Sequence, residues 1–184
     1  MDRVTETKLH FAKVFTDLRD NKSVEQIRIK DLCGNGGASR QTFYYHFVDK
    51  DDFLNWMMLY ETDKAFKTIA GPFDKDGLEN VLEKIISNDS FFYAIYGGEG
   101  ASNNFQFLSD FLYEYEKKLV KSSLHTSELK NDQEFIVKYH SFALAGTIIN
   151  TIKSSDVDKK DLAKEIYDLM PPIIREAYIR KVDR

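Results

Sequence analysis

Apolar side chains recur along the chain at intervals of three and four residues, the spacing of an amphipathic helix. The first such stripe runs from Leu9 to Leu18, and longer ones occupy residues 105–119 and 135–152. The sustained period-two alternation that would predict β-strands does not occur. Because the 184 residues include only three Pro and nine Gly, long helices can run without interruption. The pattern predicts an all-α protein.

The breaks between these stripes give the approximate helix boundaries. Helices are expected at about 5–21, 29–35, 40–47, 50–66, 78–88, 91–96, 105–119, 132–154, 158–170 and 173–179. Ser39 and Asp49 each precede a predicted helix, where a side-chain oxygen can accept a hydrogen bond from a free backbone amide. A loop is predicted over the glycine-rich residues 97–100.

The segment from Ile27 to Phe53 contains the layout of a helix-turn-helix. A short helix is followed by a turn with three glycines in residues 34–37 and then by a second short helix. Phe43 and Phe47 are four residues apart and form the face that this second helix should bury. The side chains left to face outward or to lie at the rim of the buried face are Arg40, Gln41, Thr42, Tyr44, Tyr45 and His46.

Those outward side chains suit double-stranded DNA. Arginine and glutamine can make paired hydrogen bonds with guanine and adenine edges, and Thr, Tyr and His can donate to phosphate oxygens. Lys50 at the start of the next helix adds positive charge beside a helix N-terminus, which predicts a phosphate contact. Residues 1–50 carry nine basic and seven acidic side chains, although the whole chain has a net charge of −4. The N-terminal part is thus modestly basic and the rest of the chain is acidic, which favours DNA binding through the N-terminal part.

Other functional classes find little support in the sequence. Cys33 is the only cysteine, so an intrachain disulfide and a multi-cysteine zinc site are excluded; we expect a small core residue there, with redox sensing as the alternative. No catalytic motif, metal site or cofactor site is predicted. The first residues lack the apolar run of a signal peptide and no stretch is apolar enough to cross a bilayer, so we expect neither a leader nor a membrane span. We expect a cytoplasmic protein that is not an enzyme.

The segment Ser-Arg-Gln-Thr-Phe-Tyr-Tyr-His-Phe-Val-Asp-Lys at residues 39–50 resembles the signature of the TetR/AcrR family of transcriptional regulators. The resemblance implies a three-helix DNA-binding domain over 1–47, a connecting helix over 48–67 and a helical regulatory and dimerisation domain over 68–184. It implies DNA contacts from Lys30, Ser39, Arg40, Gln41, Thr42, Tyr44, Tyr45, His46 and Lys50.

The chain departs from the family pattern around the second helix. Arg28 occupies the place of a capping Thr, and Gly34 and Gly36 replace helix-forming residues at about 1 kcal/mol each. We therefore expect this helix to fray at its end. Residues 91–100 and 103–105 are similar to a Firmicutes branch of the family that includes regulators of dihydroxyacetone kinase.

Two further sets of residues are predicted in the C-terminal part. Aromatic and apolar residues could wall a ligand pocket, or form plain core: Phe92, Tyr96, Phe105, Leu108, Phe111, Tyr115 and Tyr139. The last two long helices are expected to form the dimer interface through Phe142, Gly146, Ile149, Ile152 and Ile166.

Together these features predict a homodimeric repressor that binds palindromic operators and is released by a small-molecule effector in the C-terminal domain. The alternative is a regulator or activator that is controlled by a partner protein instead of a small ligand.

Overall fold

The computed structural model describes residues 3–33, 38–69, 73–87, 92, 105–154 and 157–182. Within these ranges the helices are α1 (Arg3–Arg19), α2 (Ile29–Leu32), α3 (Arg40–His46), α4 (Lys50–Phe66), α5 (Lys75–Ile86), α6 (Phe105–Leu124), α7 (Asn131–Lys153), α8 (Lys159–Leu169) and α9 (Pro172–Val182). No strand occurs in these ranges. The all-α prediction is confirmed. The helix predicted at 91–96 and the loop predicted at 97–100 lie outside the described residues, except that Phe92 is helical and buried.

Local capping explains where several helices begin. The Ser39 hydroxyl accepts from the Thr42 amide, and the Asp49 carboxylate accepts from the Asp52 amide, which confirms both predicted N-caps. Arg28 supplies no side-chain cap to α2, as predicted. The described part of α2 is only four residues long.

We refer to α1–α3 as the head. Its centre is aromatic: Phe11 and Phe15 of α1 and Phe43 of α3 are fully buried. Phe11 and Phe43 meet edge to face with ring centroids 5.3 Å apart, and Phe43 also contacts Phe53 of α4 at 5.8 Å. Edge-to-face pairs of this kind stabilise a core beyond the area that they bury. The start of α4 is thereby part of the head's core.

We refer to α5–α9 as the body. There α6 packs along α7 and α9, and α5 packs along α8. The pair α6 and α7 is antiparallel, because Lys117 in the second half of α6 meets Glu134 at the start of α7, whereas Phe105 at the start of α6 meets Phe142 in the middle of α7. α4 connects the head to the body and contacts α5. None of the helices in the described ranges combines the length and apolar character needed to span a bilayer.

Candidate nucleic-acid interface

Helix α3 is held at its first turn by Ser39. The Ser39 hydroxyl accepts from the Thr42 amide at 3.0 Å and lies 2.9 Å from the Thr42 hydroxyl. At the other end the Phe47 amide donates to the Phe43 carbonyl at 2.9 Å. Both ends of this seven-residue helix are therefore fixed by its own sequence.

The two faces of α3 differ sharply in exposure. Phe43 is 0% exposed and Phe47, just after the helix, is 3% exposed, whereas Tyr44 is 50% and Tyr45 is 81% exposed. Arg40 and Gln41 are also exposed. Since the phenylalanines anchor the helix to α1 and α4, the polar face is presented rigidly to the outside.

The structure places the residues predicted to contact DNA as follows. Those with exposed side chains are Lys30, Ser39, Arg40, Gln41, Tyr44 and Tyr45, and those with partly buried side chains are Thr42, His46 and Lys50. The His46 ring packs against the rings of Tyr45 and Phe47. The Ser39 and Thr42 hydroxyls hydrogen-bond to each other at the start of the helix.

Lys50 makes hydrogen bonds within the chain, whereas the sequence suggests a simple phosphate contact. Its ammonium donates to the carbonyl oxygens of Val24 at 2.6 Å and Ile27 at 3.1 Å. Burial lowers the pKa of this ammonium, and Glu25 and Asp51 oppose that shift. Two of the three N–H donors of the Lys50 ammonium thus connect the start of α4 to the turn before α2. In this structure Lys50 therefore stabilises the head.

The short helix α2 is held by a carboxylate instead of the missing threonine cap. Asp31 accepts from the Arg28 amide at 2.8 Å and pairs with Lys22 at 3.3 Å. The amide hydrogen bond, with help from Lys22, lowers the pKa of Asp31. Lys30, between these partners in sequence, remains exposed.

Sequence reasoning missed Lys8 on α1. Its ammonium lies 5.0 Å from the centroid of the Phe47 ring and 5.5 Å from that of Trp56, within the range of a cation–π interaction. Lys8 shares a helix face with Phe11 and Phe15 by its spacing of three and seven residues, a signal that could have placed it beside the buried aromatics. It braces the end of α3 against α4.

In the body, the residues predicted to line a ligand pocket divide by burial. Phe92, Leu108, Phe111 and Tyr115 are buried and Phe105 is partly buried. Tyr139 is 70% exposed, so its side chain lies on the surface of the chain and not around an internal pocket. Tyr96 lies outside the described residues.

An open cleft of about 840 Å³ lies between α4 and α6. Its apolar lining consists of Leu59 of α4 and Phe107, Phe111 and Tyr115 of α6, and charged residues of both helices surround them. Of the predicted pocket residues that the structure describes, Phe111 and Tyr115 line this cleft. An aromatic floor with charged edges is a suitable surface for a small amphipathic molecule.

The residues predicted at the dimer interface mostly make contacts within the single chain. Ile149 is 7% and Ile152 is 6% exposed, so they have little surface to offer a partner. The Phe142 ring packs on Phe105 at 5.8 Å, and a Cβ placed on Gly146 would lie 3.7 Å from the same ring. Ile166 is partly buried and packs against the core.

A different face of α7 is open. Phe135 is 69% and Tyr139 is 70% exposed, and their rings stack with centroids 6.3 Å apart. Ala143, a further turn along, is also exposed. Adjacent apolar side chains that are exposed to solvent form a patch, and such patches mark interaction sites. The exposed face of α7 is therefore a candidate contact surface.

Comparisons with known proteins agree with this architecture. A family model described as the transcriptional regulator C-terminal region, TetR_C_8, matches residues 75–172. The HTH-type dhaKLM operon transcriptional activator DhaS of Lactococcus lactis subsp. lactis (strain IL1403) is 27% identical over 175 residues, which cover 89% of this chain and 88% of that protein. A solved structure of a dihydroxyacetone kinase operon activator DhaS superposes with a TM-score of 0.53 at 20% identity, covering 95% of this chain and 97% of that one.

The solved structure shows the shared fold, and the family match covers more than half of the chain. The resemblance drawn from residues 39–50 is confirmed, and so is the prediction that the protein is not an enzyme. This chain belongs to the TetR family of transcriptional regulators.

Proposed function

We propose that the protein binds palindromic DNA sequence-specifically as a cytoplasmic homodimer, with α3 as its recognition helix. The observation that carries this proposal is the division of α3 into a fully buried phenylalanine face and an exposed face of DNA-compatible side chains. A helix in the major groove needs one face anchored and the other free.

The exposed side chains differ in their expected contacts. Arg40 and Gln41 are in the first turn of α3, where a recognition helix contacts base edges. We assign base reading to these two, with about 1–3 kcal/mol of discrimination for each bidentate contact. Tyr44, Tyr45 and the exposed Lys30 are assigned to phosphates, which position the helix without reading sequence.

The homodimer is proposed to form through the exposed face of α7. Burial of the stacked Phe135 and Tyr139 rings against a second copy would remove apolar surface from water, which favours association. A two-fold axis there would present two copies of α3 to half-sites about 34 Å apart or slightly more. The site on DNA should then be a palindrome.

For control, we propose an effector that binds the cleft between α4 and α6. The Lactococcus lactis relative is an operon activator, and the similar solved structure is that of a dihydroxyacetone kinase operon activator. This favours activation over the repression that the sequence suggested, and favours a dihydroxyacetone kinase operon as the target. Control by a partner protein is the second candidate, since the cleft is open to the outside.

The test of DNA binding is selection of sequences from random duplex DNA with the purified full-length protein. We expect enrichment of a palindrome. Arg40→Ala and Gln41→Ala should each relax one position per half-site, while Lys84→Ala, at an exposed position in the body, should change nothing. If wild-type protein enriches no sequence, or if both α3 variants enrich the wild-type palindrome unchanged, α3 does not read DNA.

The effector is tested by titrating small molecules against a labelled palindrome. Compounds that bind in the cleft should alter DNA affinity in wild type and not in Leu59→Arg, where a long side chain from a 41% exposed position would fill the cleft. If compounds bind there and leave DNA affinity unchanged, the cleft is not the control site.

A further inference from the structure

A carboxylate lies in the middle of the body without any exposure to solvent. Glu116 of α6 is 0% exposed. Its oxygens lie 2.9 and 3.0 Å from Nδ1 of His140, 2.8 Å from the Ser141 hydroxyl and 3.2 Å from the Tyr178 hydroxyl. A buried carboxylate is very costly unless several donors surround it. The donors come from α7 and α9, so this cluster fixes the positions of three helices.

Tyr178 is the member of the cluster that also contacts α4. Its ring stacks on Phe66, the last residue of α4, at 5.2 Å and 12° between the planes, and on Phe73 at 5.3 Å and 16°. The hydroxyl at the far end of the same ring donates to Glu116. One rigid side chain therefore connects the buried cluster to the end of the connecting helix.

The surroundings fix this side chain in one orientation. Tyr178 is 4% exposed, and burial together with the nearby Glu116 raises its pKa well above the usual value, so the hydroxyl keeps its proton and acts as donor. One turn further, Lys181 pairs with Asp63 of α4 at 2.6 Å. Both contacts fall on the last turn of α4, away from the head.

Because these contacts are at the end of α4 that is far from the head, a small tilt of α4 there moves the head by a larger distance. The 17 residues of α4 span about 25 Å, so a tilt of about 5° at the Phe66 end moves the head end by about 2 Å. Two copies in a dimer double that change in the separation of the recognition helices. Only a narrow range of separations fits both half-sites of a palindrome.

We propose that Tyr178 is a positioning residue for DNA binding: held by Glu116, it sets the angle of α4 and with it the spacing between half-sites that the dimer accepts. This inference rests on the proposed function, in which a dimer binds a palindrome through α3.

The test compares two substitutions that each remove one hydroxyl from the same aromatic cluster. Tyr178→Phe removes the donor to Glu116, whereas the matched control Tyr167→Phe removes a hydroxyl that donates to the Phe73 carbonyl at 3.3 Å, with its ring 5.8 Å from Phe73. Affinity is measured for palindromes of several spacer lengths and for a duplex with a single half-site, and the melting temperature is measured for each protein.

For Tyr178→Phe we expect at least a five-fold loss of affinity for the wild-type spacer, the lower end of usual coupling between sites, or a shift of the preferred spacer. Single half-site affinity should stay within about two-fold, because α3 is unaffected. Glu116→Gln, which keeps the shape of the side chain, should give the same shift, and the double variant should add little to either single change.

A merely structural role would lower the melting temperature and weaken the palindrome and the half-site equally, which would overturn the inference. So would an equal spacer shift in Tyr167→Phe, or strictly additive effects of Tyr178→Phe and Glu116→Gln. If the wild-type protein binds neither the palindromes nor the single half-site duplex, the proposed function itself has failed. If the wild-type protein binds the palindromes and Tyr178→Phe binds them with the same affinity and spacer preference, only the present inference has failed.

Discussion

The ammonium nitrogen of Lys50 lies 2.6 Å from the carbonyl oxygen of Val24, across 26 positions of sequence. A second hydrogen bond reaches Ile27. These bonds connect the first residue of α4 to the turn that leads into α2. The lysine that completes the family-like segment is thus a structural tie within the head, and this has a measurable consequence for its contribution to DNA binding.

Lys50→Met should lower stability by about 1–3 kcal/mol, the usual cost of losing hydrogen bonds to a charged group, and DNA affinity should fall with it. The slope of log K against log salt should stay as in wild type, because the ammonium is occupied by carbonyls. Lys30→Met, at an exposed position, is the matched comparison: its slope should fall by about 0.9 with little change in melting temperature. A slope reduced by that amount in Lys50→Met would show that Lys50 neutralises a phosphate.

The two faces of α3 should separate stability from DNA binding. Phe43→Ala removes a fully buried ring and should destabilise the head by about 3–5 kcal/mol. Tyr45→Ala changes a side chain that is 81% exposed, so stability should shift by no more than about 0.5 kcal/mol while DNA affinity falls. Urea unfolding followed by fluorescence of Trp56, the only tryptophan, reports on the head because its ring contacts Phe47 at 5.8 Å.

Those outcomes would be contradicted if Tyr45→Ala bound DNA as tightly as wild type, or if it unfolded as readily as Phe43→Ala. Tyr45→Phe is the finer control. It keeps the ring and removes only the hydroxyl, so a loss of affinity in that variant points to a hydrogen bond with phosphate.

The parts of the structure that were predictable depend on local signals. The Ser39 and Asp49 caps reach amides only three residues away, and the spacing of Phe43 and Phe47 defines the buried side of α3 without knowledge of any other helix. The prediction of an all-α chain with a helix-turn-helix near its start followed from such features alone.

The parts that were missed depend on distant partners. In α7 apolar residues occur on more than one face, and the sequence alone does not say that Ile149 faces inward while Tyr139 faces outward. Glu116 interrupts an apolar stripe and has the character of a surface residue by type. Its donors His140 and Tyr178 are 24 and 62 positions away, so their approach is decided only by the packing of α6, α7 and α9.

The exposed aromatic pair on α7 should control the oligomeric state. Phe135→Ser combined with Tyr139→Ser removes two large apolar side chains from the proposed dimer surface and should favour the monomer, with a loss of palindrome binding but not of helix content. Leu169→Ser is the control, since Leu169 of α8 is 82% exposed and lies outside that surface. Analytical ultracentrifugation over a range of concentrations distinguishes them. A double variant that stays dimeric would place the interface elsewhere.

Two buried tyrosines predict a loss of stability in alkali. Burial is the main cause that raises the pKa of Tyr115 to about 12, and it also raises that of Tyr178, whereas an unfolded tyrosine titrates near 10. Below pH 10 both states keep the proton, so these groups add no pH dependence there. As the pH rises from 10 toward 12 only the unfolded state ionises, and stability must fall.

The expected loss is about 2–3 kcal/mol for Tyr115 by pH 12, from about 1.4 kcal/mol per pH unit. Urea unfolding at pH 8, 10, 11 and 12 measures it, and Tyr115→Phe and Tyr178→Phe should each flatten the decline above pH 10 because neither variant has the proton to lose. Tyr45→Phe is the control and should leave the decline as in wild type, since Tyr45 is 81% exposed and lies outside the proposed dimer surface. An equal flattening by all three substitutions would mean that burial is not what holds the protons of Tyr115 and Tyr178.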